Sequence, residues 1–66
     1  MKLIRLPEAL EKTGLSRTRC YVLIGKREFP QPVKIGGPNG RAIAFPETEI
    51  NAWIADRIAE REQAAA

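Results

Sequence analysis

The chain contains no histidine, and cysteine occurs once, at Cys20. Without histidine, a zinc site would need Asp or Glu for almost every ligand, and a cysteine nucleophile would lack its usual activating base. A lone cysteine cannot form an intramolecular disulfide, which favours a reducing, cytoplasmic location. From these absences we expect no cofactor and no metal, and an enzyme is the least favoured class.

Long apolar runs are also missing. No stretch approaches the roughly 18 apolar residues of a membrane-spanning helix, and the N-terminus lacks the apolar core of a signal peptide. A chain of 66 residues forms one small domain, expected over 1–66. A domain of that size buries only about 60% of its unfolded surface, and a deep pocket is hard to build in it. We therefore expect neither a membrane nor a small-molecule substrate as partner.

Acidic residues are scarce in the middle of the chain. Between residues 16 and 45, six basic side chains stand against one acid, Glu28, whereas residues 46–66 hold five acids against two arginines. A basic segment beside an acidic one is typical of a protein that turns one face toward a polyanion. On charge alone, a merely solvated surface explains the pattern equally well.

Two short helices with a tight turn between them are indicated near the N-terminus. Residues 2–6 alternate as in a short strand, and a proline–glutamate pair then starts a helix expected over about 7–13. Gly14 provides a C-terminal cap, and Ser16 is the N-cap of a second helix expected over about 17–26. Two helices joined in this way predict a helix-turn-helix motif.

A hairpin and a third helix are indicated in the rest of the chain. Two β-prone runs on either side of a glycine-rich connection predict a two-stranded hairpin over about 33–45. A second proline–glutamate pair starts a helix over about 47–62. Four large apolar residues of this helix recur on one face: Ile50, Trp53, Ile54 and Ile58. The expected fold class is α+β: a small winged helix-turn-helix with three helices, a two-stranded wing and a short N-terminal strand.

The second helix is predicted to turn a polar face outward. On a helical wheel Cys20, Leu23 and Ile24 share the core side, and the opposite side carries arginine, threonine, tyrosine and Val22. Arginines in a first turn lie beside the positive end of the helix dipole, which is unfavourable unless an external anion binds there. A helix fits the ~12 Å major groove, where arginine binds guanine with two hydrogen bonds and threonine or valine contacts a thymine methyl. Double-stranded DNA is therefore the expected partner.

The candidate contacts on this helix follow from its outward face. Tyr21 fits either a phosphate hydrogen bond or a half-buried place between two helices, and both alternatives remain. Cys20 and Trp53 are expected in the core rather than in a site. The candidates are Arg17, Thr18, Arg19, Tyr21, Val22 and Lys26.

Four motifs in this order resemble the AlpA-type phage and prophage transcriptional regulators, which are similar to excisionases and to MerR-like winged helices. They are LPE at 6–8, TGLSR at 13–17, FPQPVK at 29–34 and EINAWI at 49–54, within a resemblance that covers residues 4–58. The resemblance implies a second helix in the major groove and a hairpin wing along the adjacent backbone or minor groove. It also implies DNA contacts by Ser16, Arg17, Thr18, Arg19 and Tyr21 on the helix and by Lys34 and Arg41 on the wing.

The expected function is sequence-specific DNA binding by a prophage-type transcriptional regulator. One alternative with the same fold is an excisionase-like architectural factor that bends DNA for site-specific recombination. An alternative from another class is a protein-interaction module, an antitoxin or anti-repressor, that uses the helix around 50–58. Since a single module of this size covers roughly 600–1,000 Å² on DNA, cooperative self-association on DNA is expected.

Overall fold

Three short strands and three helices form the fold in the computed structural model, which describes residues 2–38 and 40–65, without the side chains of residues 64 and 65. The elements are β1 (Leu3–Arg5), α1 (Leu6–Thr13), α2 (Arg17–Gly25), β2 (Val33–Lys34), β3 (Ile43–Pro46) and α3 (Glu47–Ala65). The expected α+β winged helix-turn-helix is confirmed, including its short N-terminal strand. Element ends differ from the expected ones by up to three residues, and helix ends fray over such distances.

The three short strands form one antiparallel sheet in which β3 is central. β2 pairs with β3 as the predicted wing, with Lys34 opposite Ile43. β1 pairs with the other edge of β3, and Ile4 lies opposite Phe45. The side chains of the central strand are the most buried of the three strands, and Phe45 belongs to the hydrophobic core. The sheet thus joins the start of the chain to the wing.

The turn between α1 and α2 is built from the two predicted caps. Gly14 has a left-handed backbone, with φ of 75°, and its N–H donates to the carbonyl of Leu10 at 2.8 Å. Ser16 is extended, and its Oγ accepts a hydrogen bond from the Arg19 N–H at 3.1 Å. Glycine takes the left-handed conformation without a steric penalty, and serine satisfies an amide that has no partner within the helix. Both predicted caps are confirmed.

Replacing the cap serine tests how much this turn depends on it. Ser16→Ala is expected to lower the free energy of unfolding by about 1 kcal/mol, because the Arg19 amide loses its acceptor. The measurement is urea unfolding followed by circular dichroism. Ser16→Asp is the matched control, because its carboxylate also accepts from that amide and suits the positive end of the helix. Equal unfolding midpoints for the alanine and aspartate variants would contradict the capping role.

The end of α2 is set by a residue that the sequence did not single out. Arg27 has a left-handed backbone with φ of 60°. Its N–H donates to the carbonyl of Ile24 at 3.1 Å, and the N–H of Glu28 donates to the carbonyl of Leu23 at 2.9 Å. These two bonds form a Schellman motif, in which glycine is the usual left-handed residue. A side chain there costs roughly 1–2 kcal/mol, which the paired hydrogen bonds and the packing of the next residues offset.

The hydrophobic core lies between the sheet and the three helices. Its buried members are Ile4, Leu6, Ala9, Cys20, Leu23, Phe29, Phe45 and Ile50. The Phe29 ring meets Phe45 edge-on at a centroid distance of 5.5 Å and meets Trp53 at 5.0 Å. The Trp53 indole N–H donates to the carbonyl of Glu28 at 2.9 Å. Trp53 therefore packs against the core as predicted, and it also fixes the segment that follows α2.

Polar contacts join the start of the third helix to α1. The Lys12 ammonium of α1 lies 3.2 Å from a Glu47 carboxylate oxygen and donates to the Asn51 side-chain oxygen at 2.7 Å. Ile58, the last of the four apolar residues on one face of α3, is 47% exposed. A helix of 19 residues is about 28 Å long at 1.5 Å per residue, and around Ile58 it lies beside the end of α1. Among the described residues, no helix has both the length and the apolar character needed to cross a membrane.

Candidate nucleic-acid interface

The second helix divides into a buried and an exposed face as predicted. Cys20 and Leu23 are buried, and Ile24 packs against the core from the edge. The exposed residues of the predicted site on this helix are Arg17, Thr18, Arg19, Tyr21 and Val22. Lys26, just after the helix, is exposed as well. Val22 is 40% exposed and Tyr21 48%, so apolar and hydroxyl groups accompany the arginines on this surface.

The start of α2 concentrates positive charge. Its first turn contains no acidic residue, whereas α1 begins with Glu8 and α3 with Glu47 and Glu49. Acidic groups near a helix start stabilise the helix, and arginines there do the opposite. Within residues 2–38 and 40–65, the ion pairs join α1 to α3 or lie inside α3, so neither arginine of this first turn has a carboxylate partner. The arrangement is favourable only when an anion comes from outside.

The wing is narrow where it leaves the sheet. The Ile35 N–H donates to the carbonyl of Ala42 at 3.0 Å, which continues the pairing of β2 with β3. Beyond that bond the backbones of Gly36 and Gly40 touch, and a Cβ on Gly40 would overlap the Gly36 carbonyl. Glycines at these two positions therefore permit the close approach. Lys34 is exposed on β2, so the wing presents one predicted basic side chain on its outer strand.

A concave surface enclosing a volume of about 230 Å³ lies between the start of α1, the first turns of α2 and the returning side of the wing. Its polar lining consists of Arg5, Arg17, Tyr21 and Arg41, and apolar walls come from Leu6 and Ile43. We call this surface the basic cleft. It brings together three residues of the predicted site, from the helix and from the wing. Outside it lie Thr18, Arg19 and Val22 on the helix and Lys26 just after the helix.

Arg5 is the residue that sequence reasoning missed. It belongs to β1 and was part of a segment that indicated only a strand. Its alternation with the buried Ile4 was the available signal, because alternation places Arg5 on the outer side of the strand. Nothing in the sequence indicated that β1 would pair next to the wing. The pairing of Arg5 with Ala44 brings it to the same cleft as Arg41.

Cys20 lies on the other side of α2 and takes no part in this surface. Burial removes water from the sulfur and raises the pKa of the Cys20 thiol above its usual value. The reactive form of cysteine is the thiolate, so a raised pKa disfavours nucleophilic chemistry. In the part of the chain that the structure describes, no three His, Cys, Asp or Glu side chains are grouped to hold a metal ion.

Comparison with known proteins gives one family and one relative. Residues 2–58 match the family described as Prophage CP4-57 regulatory protein (AlpA). A protein of Enterobacteria phage P4, named Uncharacterized protein ORF88, is 44% identical over 62 residues, which are 94% of this chain and 67% of that protein. No solved structure matches the chain. The region matched by the family includes α2, the wing and most of α3.

Proposed function

Because the chain belongs to the AlpA family of prophage regulatory proteins, we propose that it acts as a transcriptional regulator by binding double-stranded DNA. In this proposal α2 enters the major groove, and the wing lies on the adjacent backbone or minor groove. The protein binds and does not catalyse. Phosphate contacts set its position on the duplex, and a few side chains read base edges.

The observation that carries this proposal is the exposed, acid-free face at the start of α2. A surface that serves only solubility mixes both signs of charge, whereas this one combines arginines with a hydroxyl and an apolar side chain. Arg19 is assigned to a guanine, Thr18 to a base or phosphate, and Val22 to a thymine methyl. Lys26 and Lys34 are assigned to phosphates, and Ser16 keeps its capping role beside the DNA.

Enrichment of bound sequences from random duplexes tests the function directly. We expect the purified chain to select a short recurring sequence and to bind it more tightly than a scrambled duplex in fluorescence anisotropy. Failure to bind any duplex at low salt would overturn the proposal. Binding without enrichment would contradict sequence specificity while leaving DNA binding in place. The selected sequence then serves as the preferred duplex in every later measurement.

The affinity is expected to fall steeply with salt. If four to five basic side chains neutralise phosphates, log K against log [salt] should have a slope near −4, because each neutralised phosphate contributes about −0.9. Between 50 and 200 mM salt this slope corresponds to a loss of roughly 250-fold. The measurement is a titration of the preferred duplex at four salt concentrations. A slope close to zero would show that the bound surface is not the basic one.

One observation favours a second function, that of a protein-interaction module. Ile58 is exposed on α3, next to the partly buried Ile54 and to Thr13 of α1. Failure of the chain to bind DNA at low salt, together with capture of a partner that Ile58→Ser abolishes, would support this alternative. An excisionase-like factor shares the DNA-binding surface and differs in its effect, because it would bend a duplex that carries repeated sites and bind it cooperatively.

A further inference from the structure

We propose that the basic cleft holds one phosphate of the DNA backbone, bound jointly by Arg5, Arg17 and Arg41. Arg17 then positions the protein on the duplex and does not read a base. The inference rests on the proposed DNA-binding function and assigns to it Arg5, a residue outside both the helix-turn-helix and the wing. It also gives the first strand a role beyond completing the sheet.

The positive charge of the cleft favours the binding of an anion. Three arginines line a recess of about 230 Å³, and no acidic residue is among its described lining residues. None of the three arginines has an ion-pair partner within residues 2–38 and 40–65. Like charges repel, and they do so more strongly beside apolar walls such as Leu6 and Ile43 than in open water. A bound anion converts this repulsion into attraction.

The geometry of the donors fits a phosphate. Each guanidinium presents a planar fork of N–H groups that matches two phosphate oxygens, and the Tyr21 hydroxyl at the cleft adds a further donor. Arg5 directly precedes α1, and its guanidinium has donors only, so it can bind an anion but cannot cap the helix. The first residues of both α1 and α2 line the cleft, so the positive ends of two helix dipoles lie close to it. The recess exceeds the roughly 30 Å³ share of one water several-fold and has room for a hydrated phosphate.

The position of the cleft identifies the phosphate as one of the DNA backbone. On one side lies α2, which the proposed function places in the major groove. On the other side lies the returning strand of the wing, placed at the adjacent backbone or minor groove. One sugar–phosphate strand separates these two grooves of the duplex, so it must pass between the helix and the wing. The basic cleft occupies that place.

A scan of single phosphates tests the assignment. In the preferred duplex, each phosphate is replaced in turn by a neutral methylphosphonate, and the affinity of the protein is measured. We expect one position where the replacement weakens binding about tenfold, as for the loss of a charge-assisted hydrogen bond. Arg5→Gln, Arg17→Gln and Arg41→Gln should each weaken binding to the unmodified duplex by about the same factor and should each reduce the penalty at that one position. Arg61→Gln, in an exposed turn of α3 away from the cleft, is the matched control and should keep both the affinity and the penalty.

The possible outcomes distinguish a failure of the shared phosphate site from a failure of the proposed DNA-binding function. If the unsubstituted protein binds no DNA, the proposed function fails. If it binds but Arg5→Gln keeps full affinity and the full penalty, the shared phosphate site is wrong while DNA binding stands. Arg5→Lys, which keeps the charge and loses the fork, replaces Arg5→Gln should circular dichroism show that the glutamine variant is unfolded. A loss of affinity smaller than the tenfold loss expected for a glutamine variant, together with a reduced methylphosphonate penalty, then supports the site. An unchanged affinity and an unchanged penalty overturn it.

A free anion is the remaining source of a phosphate in the cleft. Inorganic phosphate and chloride are therefore compared as competitors of DNA at equal ionic strength. We expect inorganic phosphate to inhibit more than chloride, because it fits the same guanidinium groups as the backbone phosphate, and we expect Arg5→Gln to remove this difference. A difference that Arg5→Gln retains in full would show that the inhibiting anion binds outside the cleft, and it would overturn the assignment.

Discussion

Phe45→Ala is expected to lower the free energy of unfolding by about 3–5 kcal/mol. Phe45 is fully buried in the central strand β3 and packs edge-on against Phe29. Truncation of a buried phenylalanine costs about 3–5 kcal/mol, from lost burial and the cavity left behind. A chain of 66 residues has a total stability of only roughly 3–10 kcal/mol. One side chain therefore carries a large share of the whole free energy of unfolding.

Thermal unfolding followed by circular dichroism measures this effect. Phe45→Leu is the graded control, because it retains most of the buried volume and should keep a cooperative transition at a lower midpoint. Tyr21→Ala is the aromatic control on the surface and should change the stability by no more than about 0.5 kcal/mol. A cooperative transition of Phe45→Ala within a few degrees of the unsubstituted protein would contradict the placement of Phe45 at the centre of the core.

Arg19→Ala and Arg41→Ala are expected to lose different properties. Arg19→Ala should weaken binding to the preferred duplex by about 1–3 kcal/mol. It should weaken binding to random DNA much less, because a guanine contact with two hydrogen bonds depends on sequence. Arg41→Ala should weaken both duplexes by similar factors and reduce the salt slope by about one, because a phosphate contact is independent of sequence. The structure supports this division: Arg41 lies in the basic cleft, and Arg19 lies on α2 outside it.

The measurement is the affinity of both variants for both duplexes at two salt concentrations. Arg61→Ala, in an exposed turn of α3, is the control for a lost positive charge remote from the proposed interface. If Arg41→Ala loses sequence preference while Arg19→Ala loses only general affinity, the roles of helix and wing have been assigned the wrong way round. Equal losses by both variants on every duplex would show that neither arginine reads a base.

Local signals in the sequence gave much of the fold correctly. A glycine that ends a helix and a serine that begins the next act through hydrogen bonds between residues three or four positions apart. Such interactions are visible in any short stretch, so Gly14 and Ser16 identified the turn. The outward face of α2 followed from helical periodicity in the same way. Six of the nine candidate DNA contacts follow from this face, whereas Ser16, Lys34 and Arg41 came from the family resemblance. The contacts of all nine with DNA remain predictions, as does a cytoplasmic location.

Interactions between distant parts of the chain decided the rest. The sequence determined that residues 2–6 favour a strand, but only the fold determined its partner, because β1 pairs with β3 about forty residues away. That pairing carries Arg5 to Arg41 and creates the basic cleft. The apolar spacing of α3 likewise places Ile58 on one face with the buried Ile50, yet burial also requires neighbours that cover the side chain. Beside the end of α1, Ile58 stays 47% exposed. Periodicity specifies which side chains share a face, whereas the extent of the surrounding elements determines how much of that face is covered.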